Sequence, residues 1–176
     1  LSFFGVQTFF GGTERFETIL NALDLVKDGI DLVAVHDACR CCATEQLVTN
    51  VIAKAAETGA AIPGAPVTAT IKQVQDGVIV RTVDRANLFE AQTPQVFDLA
   101  LLKRAYANLG NVDKAVVTDD AFLVEAIGHK VAIVESDSSN LKITRQSDLP
   151  IAEAILKSKP KPKIEGPRGP FDEAQW

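Results

Sequence analysis

Methionine is absent from all 176 residues, the initiator included. The chain starts at Leu1 and enters an apolar run, Phe3 to Phe10, with no cap or polar lead-in, which reads as a chain cut within a domain. Basic charge is in short supply, with 18 Lys and Arg against 23 Asp and Glu and a net charge of −5. That balance excludes a dominant nucleic-acid surface, which needs a basic face, yet leaves room for a small basic pocket. No apolar run approaches the length of a membrane span, and the N-terminus lacks the basic flank of a signal peptide. Cysteine is scarce and crowded: Cys39, Cys41 and Cys42 lie within four positions, too close for ordinary disulfide geometry. Their odd number is no secreted framework, and no second Cys or Cys/His cluster completes a zinc site. Free thiols in a reducing cytoplasm follow. The two histidines, His36 at a strand end and His129 beside a helix terminus, supply no Ser-His-Asp or Cys-His order for hydrolysis. Internal repeats are missing too.

What is present suits one α/β domain, since 176 residues at 47% hydrophobic can bury one substantial core. Val6 to Phe10 reads as a strand closed by Gly11-Gly12, and Thr13 as the cap of a helix whose face is Phe16, Ile19, Leu20, Leu23 and Val26. Gly29 ends that helix, and Ile30 to Val35 is the next strand. This strand–helix–strand order predicts a parallel sheet with right-handed crossovers. Thr44 caps a second helix, with Leu47, Val48, Val51, Ile52 and Ala55 as its stripe and Gly59 as its stop. Ala60 to Val67 is a strand that Pro63 and Pro66 bend or push to an edge. Over 68–97 the pattern alternates on either side of Asp76-Gly77, a hairpin signal; such an excursion is a surface hairpin or an arm reaching a partner. Leu99, Leu102 and Tyr106 mark a helix. Thr118 begins another, which Gly128 follows. Lys130 to Val134 is a strand, the polar turn from Ser138 feeds a short strand, and Ser147 to Lys157 is the last helix. Residues 158–176, with Pro160, Pro162, Pro167 and Pro170, read as a disordered tail.

Polar residues gather where chain reversals meet one sheet edge: Asp37 with Arg40, Arg85 with Thr93, Thr118 with Asp119, and Asn140 with Lys142 and Thr144. Ligands of open α/β sheets bind at strand carboxyl ends. A carboxylate there suits a metal and a guanidinium suits a phosphate, although Asp37 and Arg40 equally make a surface ion pair. A threonine before a helix is usually only a cap, a loop lysine is usually solvated, and Arg85 can pair with Asp84. Together the clusters suit an anionic, phosphate-bearing ligand.

The phrases Gly11-Gly12-Thr13-Glu14-Arg15, Val35-His36-Asp37-Ala38-Cys39-Arg40, Thr82-Val83-Asp84-Arg85, Gln92-Thr93-Pro94-Gln95-Val96-Phe97, Val117-Thr118-Asp119-Asp120-Ala121 and Asn140-Leu141-Lys142-Ile143-Thr144 occur in one order. Together, from about Phe10 to Leu156, they closely resemble the 2-C-methyl-D-erythritol 4-phosphate cytidylyltransferases of the non-mevalonate isoprenoid pathway. Ribitol 5-phosphate cytidylyltransferases share much of this pattern, and a catalytically silent sugar-phosphate-binding homologue is a further alternative. The resemblance implies a Rossmann-like nucleotidyltransferase sheet, mostly parallel, with a protruding β-hairpin dimerisation arm, over residues 1–157. It implies attack by the acceptor's phosphate oxygen on the α-phosphorus of CTP, with pyrophosphate leaving. By motif match the catalytic set is Lys142, Asp37 and Arg85, and Asp37 is the ligand of Mg²⁺. The nucleotide falls to Gly12, Thr13, Thr18, Asp37, Ala38 and Arg40, and the acceptor phosphate to Thr70, Arg85, Thr93, Thr118 and Lys142. In the family the arm embraces a second subunit, so Thr70 and Arg85 serve the neighbour's site in a homodimer built through 68–97. The implied compartment is a bacterial cytoplasm or a plastid stroma, with no nucleic-acid or membrane partner.

The chain also departs from the family's pattern. The family's Gly-rich triphosphate loop, with its arginine and lysine, has no match, in keeping with a cut at Leu1, so these 176 residues alone are expected to show little activity. Cys41 stands where the family usually has proline, Cys39 where it has alanine, and Thr13 where an acid is common.

Overall fold

The computed structural model describes residues 5–159; the tail expected over 158–176 lies, beyond Lys159, outside them. A mixed sheet of five strands is covered by helices on both faces, and a separate two-stranded ribbon projects from it. The sheet strands are β1 (Leu32–Val35), β2 (Ala60–Pro66), β5 (Phe89–Ala91), β6 (Gln95–Asp98) and β7 (Ala132–Glu135), and β3 (Ile71–Gln75) with β4 (Val78–Val83) forms the ribbon. The helices are α1 (Arg15–Leu23), α2 (Glu45–Thr58), α3 (Leu99–Ala107), α4 (Asp120–Ala126) and α5 (Asp148–Ser158).

The α/β expectation holds, but the sheet is mixed rather than mostly parallel. β1, β2 and β7 run one way, β5 and β6 the other, and β6 sits between β1 and β2. β2 is central, not bent to an edge: β7 pairs with it over Ala61–Gly64 on one side, while β6 and then β5 take the other. Between β5 and β6 the register against β2 moves by two residues, so they form one antiparallel line broken at Gln92–Pro94. Pro63 is tolerated because it faces that break, where its carbonyl accepts from Gln92 N–H (2.9 Å) and no ladder donor is demanded of it. Broken strands of this kind occur beside active sites because the inserted residues re-aim their side chains.

Strand alternation divides the core. Ala60, Ile62 and Phe97 face a cluster with α1, α3 and α4, whereas Ala61 and Val96 face Val51 and Ala55 of α2. Both sheet faces are thereby covered at β2 and β6, as the apolar run of β2 requires, while β5 stays exposed. Thr44 caps α2 by accepting from Leu47 N–H (3.1 Å), and Gly59 ends it at φ +80, where a side chain would be strained.

Several local expectations change. Val6 to Phe10 forms no strand: among the described residues it has no pairing partner, and Phe10 is 97% exposed. The α1 cap is Glu14, not Thr13, because Glu14 and Glu17 close a reciprocal capping box. α1 stops at Leu23 instead of running to Gly29. Asp119, not Thr118, caps α4 by accepting from Phe122 N–H (2.9 Å). The polar turn after Ser138 feeds no strand; its backbone joins the Asp37 loop instead, Ile143 N–H donating to Cys39 O (2.9 Å). The ribbon is as expected, with Asp76 at φ 50 and Gly77 at φ 78 forming its tip.

Candidate active site

Three chain reversals converge at the end of β1. Beyond β1 the chain turns at Asp37, with Arg40 N–H donating to Asp37 O (2.9 Å). The break before β6 presents Gln92 and Thr93, and the loop after β7 presents Asn140 and Lys142. Asn140, nearly buried, ties the three together. Its side-chain amide donates to Gln92 Oε1 (2.9 Å) and Thr93 O (3.0 Å), and its backbone carbonyl accepts from the Arg40 guanidinium (2.7 Å). Gln92 is held in turn by Ser136 Oγ (2.9 Å) and by donation to Asp137 O (3.0 Å). Thr93 Oγ1 accepts from Asp37 N–H (3.0 Å) and shares a hydrogen bond with His36 Nδ1 (3.0 Å).

The result is a cavity of about 210 Å³ lined by Arg15, Asp37, Arg40, Thr93, Thr118 and Lys142, with Gln92, Gln95 and Asp119 in its wall. Lys142 Nζ lies 2.9 Å from Asp37 Oδ2, and Arg40 Nε lies 3.7 Å from the same oxygen. The second distance is too long for a hydrogen bond, and among the described residues the buried Arg40 Nε has no other partner. Partial burial works to raise the Asp37 carboxyl. The hydrogen bond and charge of Lys142, followed by Arg15 and Arg40, outweigh it and hold the group below the usual carboxylate range. Three cations around one central carboxylate, with an unpaired guanidinium N–H, leave the cavity set up for an anion.

As a metal site the same residues offer less. Among the described residues no group of three or more His, Cys, Asp or Glu could hold an ion alone. Asp119 is engaged, one oxygen by Phe122 N–H and the other by Gln95 Nε2 (2.8 Å). Asp37 is the one cavity carboxylate free of backbone duties. A single carboxylate fits an ion that keeps its waters and takes its remaining ligands from substrate phosphates, as Mg²⁺ does.

Of the residues expected from sequence, the fold brings Asp37, Arg40, Thr93, Thr118 and Lys142 to this cavity. Ala38 is exposed on the same turn and does not line it. Gly12, Thr13 and Thr18 form a separate strap on α1. Gly12 N–H donates to Thr18 Oγ1 (3.0 Å), Thr13 N–H to Glu17 Oε2 (2.8 Å), and a Cβ at Gly12 would fall 2.2 Å from Glu17 Cβ. Thr70 and Arg85, exposed at the root of the ribbon, lie outside the cavity. Three polar members are not singled out by the sequence as functional candidates, Arg15, Gln92 and Gln95. All sit inside quoted motifs, but only the packing of α1 against α4 and the break before β6 show what they reach.

Helices on both faces of a mixed sheet, with a cation-lined cavity at the strand ends, describe a Rossmann-like nucleotidyltransferase. The sequence profile for 2-C-methyl-D-erythritol 4-phosphate cytidylyltransferase matches residues 4–158, and the chain belongs to that family. The enzyme of that name from Endomicrobium trichonymphae is 46% identical over 149 residues, 84% of this chain and 67% of its own length. The one from Synechococcus elongatus is 44% identical over 150 residues, 85% of this chain and 64% of its own. The crystal structure of the Thermus thermophilus enzyme superposes with a TM-score of 0.76 at 35% identity, covering 85% of this chain and 72% of that one. The chain therefore spans about two thirds of the length of the relatives it matches.

Proposed function

We propose that the protein transfers a cytidylyl group from CTP to 2-C-methyl-D-erythritol 4-phosphate, forming the CDP-alcohol and releasing pyrophosphate. The observation that carries this reading is the cavity in which Arg15, Arg40 and Lys142 surround Asp37 beside Thr93 and Thr118, on a chain of this family. An oxygen of the acceptor phosphate attacks the α-phosphorus of CTP as the bond to pyrophosphate breaks. Catalysis is then positioning together with neutralisation of developing charge. Lys142, half-exposed and tethered to Asp37, is an ammonium held where that charge appears. Arg40, pinned by Asn140, is the fixed cation beside it. Thr93 and Thr118 offer hydroxyls to the acceptor phosphate, and Gly12, Thr13, Thr18 and Ala38 line the approach of the nucleotide. Mg²⁺, held by Asp37 and the substrate phosphates, would screen their repulsion.

The second half of the reading concerns assembly. Val74, Val78, Ile79 and Val80 on the ribbon are all more than half exposed, and Thr70 and Arg85 stand at its root, outside the cavity. A homodimer in which the arm of 68–97 reaches across would cover those side chains and deliver Thr70 and Arg85 to the neighbour's acceptor phosphate. Three free cysteines suit a bacterial cytoplasm or plastid stroma, and no described helix is long and apolar enough to cross a membrane.

Pyrophosphate release by the full-length chain, with CTP and either methylerythritol phosphate or ribitol 5-phosphate, tests the reaction. Turnover is expected with the first acceptor and little with the second. Faster turnover with ribitol 5-phosphate would reassign the acceptor, and none with either would leave a silent sugar-phosphate binder.

A further inference from the structure

We propose that Arg15 is a substrate-contact residue whose guanidinium, held by buried Asp120 and Tyr106, binds the monophosphate of the acceptor beside Thr118 and Lys142. This deepens the functional reading above and rests on it. Asp120, on α4, is completely buried, which is unfavourable for a carboxylate unless both oxygens are paired. Here they are: Oδ2 accepts from Arg15 (2.7 Å) and Oδ1 from the Tyr106 hydroxyl (2.5 Å). Its own N–H donates to Gln95 Oε1 (3.2 Å). Burial, and then the charge of Asp120, push the Tyr106 phenol up, so it remains a donor. Asp120 is thus fixed by α1, α3 and β6 together.

Asp120 does not line the cavity, but Arg15 does. The Arg15 side chain is 37% exposed, and among the described residues Asp120 is its one side-chain hydrogen-bond partner. A guanidinium carries five N–H donors, so most of them are left for a ligand. Buried ion pairs are poor stabilisers compared with apolar packing of the same volume. What this one supplies is a cation immobilised at a cavity wall. Thr118, Asp119 and Asp120 are consecutive, which places Arg15 at the Thr118 end, the end assigned to the acceptor. A planar fork with several free donors suits a terminal phosphate better than a point charge would.

The test uses the full-length chain and a double variant, Arg15→Gln with Asp120→Asn, which removes both charges at similar volume and leaves no orphaned carboxylate. The KM for methylerythritol phosphate is expected to rise at least about tenfold, as loss of a charged hydrogen bond implies, while the KM for CTP stays within about twofold. Arg15→Lys alone should fall between the two. An acceptor KM within about twofold of wild type, in a double variant that melts normally, would make Arg15 a structural partner only and overturn the proposal. An equal rise in both KM values would overturn it as well. Should the wild type fail to turn over, the functional reading falls, and calorimetric titration with inorganic phosphate still decides about Arg15. Weaker binding by the double variant supports the proposal, and equal binding overturns it.

Discussion

The cavity and the ribbon are built on opposite principles. Around the cavity, hydrogen bonds join residues far apart in the chain: Asp37 to Thr93, Arg40 to Asn140, Gln92 to Asp137, Arg15 to Asp120. In the ribbon they stay local, Lys72 donating to Thr82 Oγ1 (2.7 Å) and Arg81 to Gln73 Oε1 (2.6 Å), and its valines face water. The site is therefore a consequence of folding the whole core, and its geometry is lost with the core. The ribbon holds its own shape but has nothing described to act upon. Its two site candidates, Thr70 and Arg85, make sense only if something outside the chain's own cavity receives them.

Stability separates the two regions most sharply. Phe97 is fully buried on β6, two residues from Gln95. Phe97→Ala should cost about 3–5 kcal/mol through lost burial and the cavity left behind, and substrate binding should weaken with it. Val80→Ala, at a position 55% exposed on the ribbon, should change the urea midpoint by less than the equivalent of ~0.5 kcal/mol while the chain is monomeric. A cost for Val80→Ala that grows with protein concentration would show the ribbon buried against a second copy. A small cost for Phe97→Ala would break the contrast.

Function separates them next. Lys142 is half-exposed and, among the described residues, its one ion pair is with Asp37, so Lys142→Ala should keep the fold while lowering kcat by ~10²–10³. Arg85→Ala, on the ribbon side, should be similarly damaging if the arm serves a neighbour. Mixing the two inactive variants in equal amounts should then restore about a quarter of wild-type turnover, because half the dimers would be mixed and each would hold one intact composite site. Absence of restoration would confine Arg85 to its own subunit and remove the arm exchange.

The same contrast explains what could be read from sequence. Elements fixed by local chemistry were legible: the cap at Thr44, the stop at Gly59, the Asp76-Gly77 turn, the stripe of α3 and, apart from the exposed Ile52, that of α2. So were the cavity residues Asp37, Arg40, Thr93, Thr118 and Lys142, because each sits at a chain reversal between apolar runs. What failed depended on partners. Pro63 looked like an edge signal because nothing local shows that the facing line is broken at Gln92–Pro94. Val6 to Phe10 has the composition of a strand, but composition supplies no pairing partner. Strand direction was misread because β6 enters between β1 and β2 from much later in the chain. Arg15 escaped notice because its significance lies in Asp120, 105 residues away.

The smallest expected effect is a pH dependence that belongs to the cavity alone. Asp37 is held below its ordinary value of 3.8 by Lys142, Arg15 and Arg40 against the opposing effect of burial. A carboxyl depressed by folding contributes stability that is fully present above its unfolded value and is lost as pH falls through the folded one. Asp37→Asn should therefore narrow its stability gap from wild type as the pH is lowered from neutrality to below 3.8, in metal-free buffer where the cations alone face the carboxylate. Urea midpoints of both proteins across that range give the comparison. The gap should also shrink with added salt, since the Lys142 end is half-exposed and screened. A gap unchanged by pH would mean that Asp37 gains nothing from its three cations in the folded chain. The cavity would then be an assembly of mutually repelling charges, stable only when an anion enters, and more dependent on its ligand than the ribbon is on its partner.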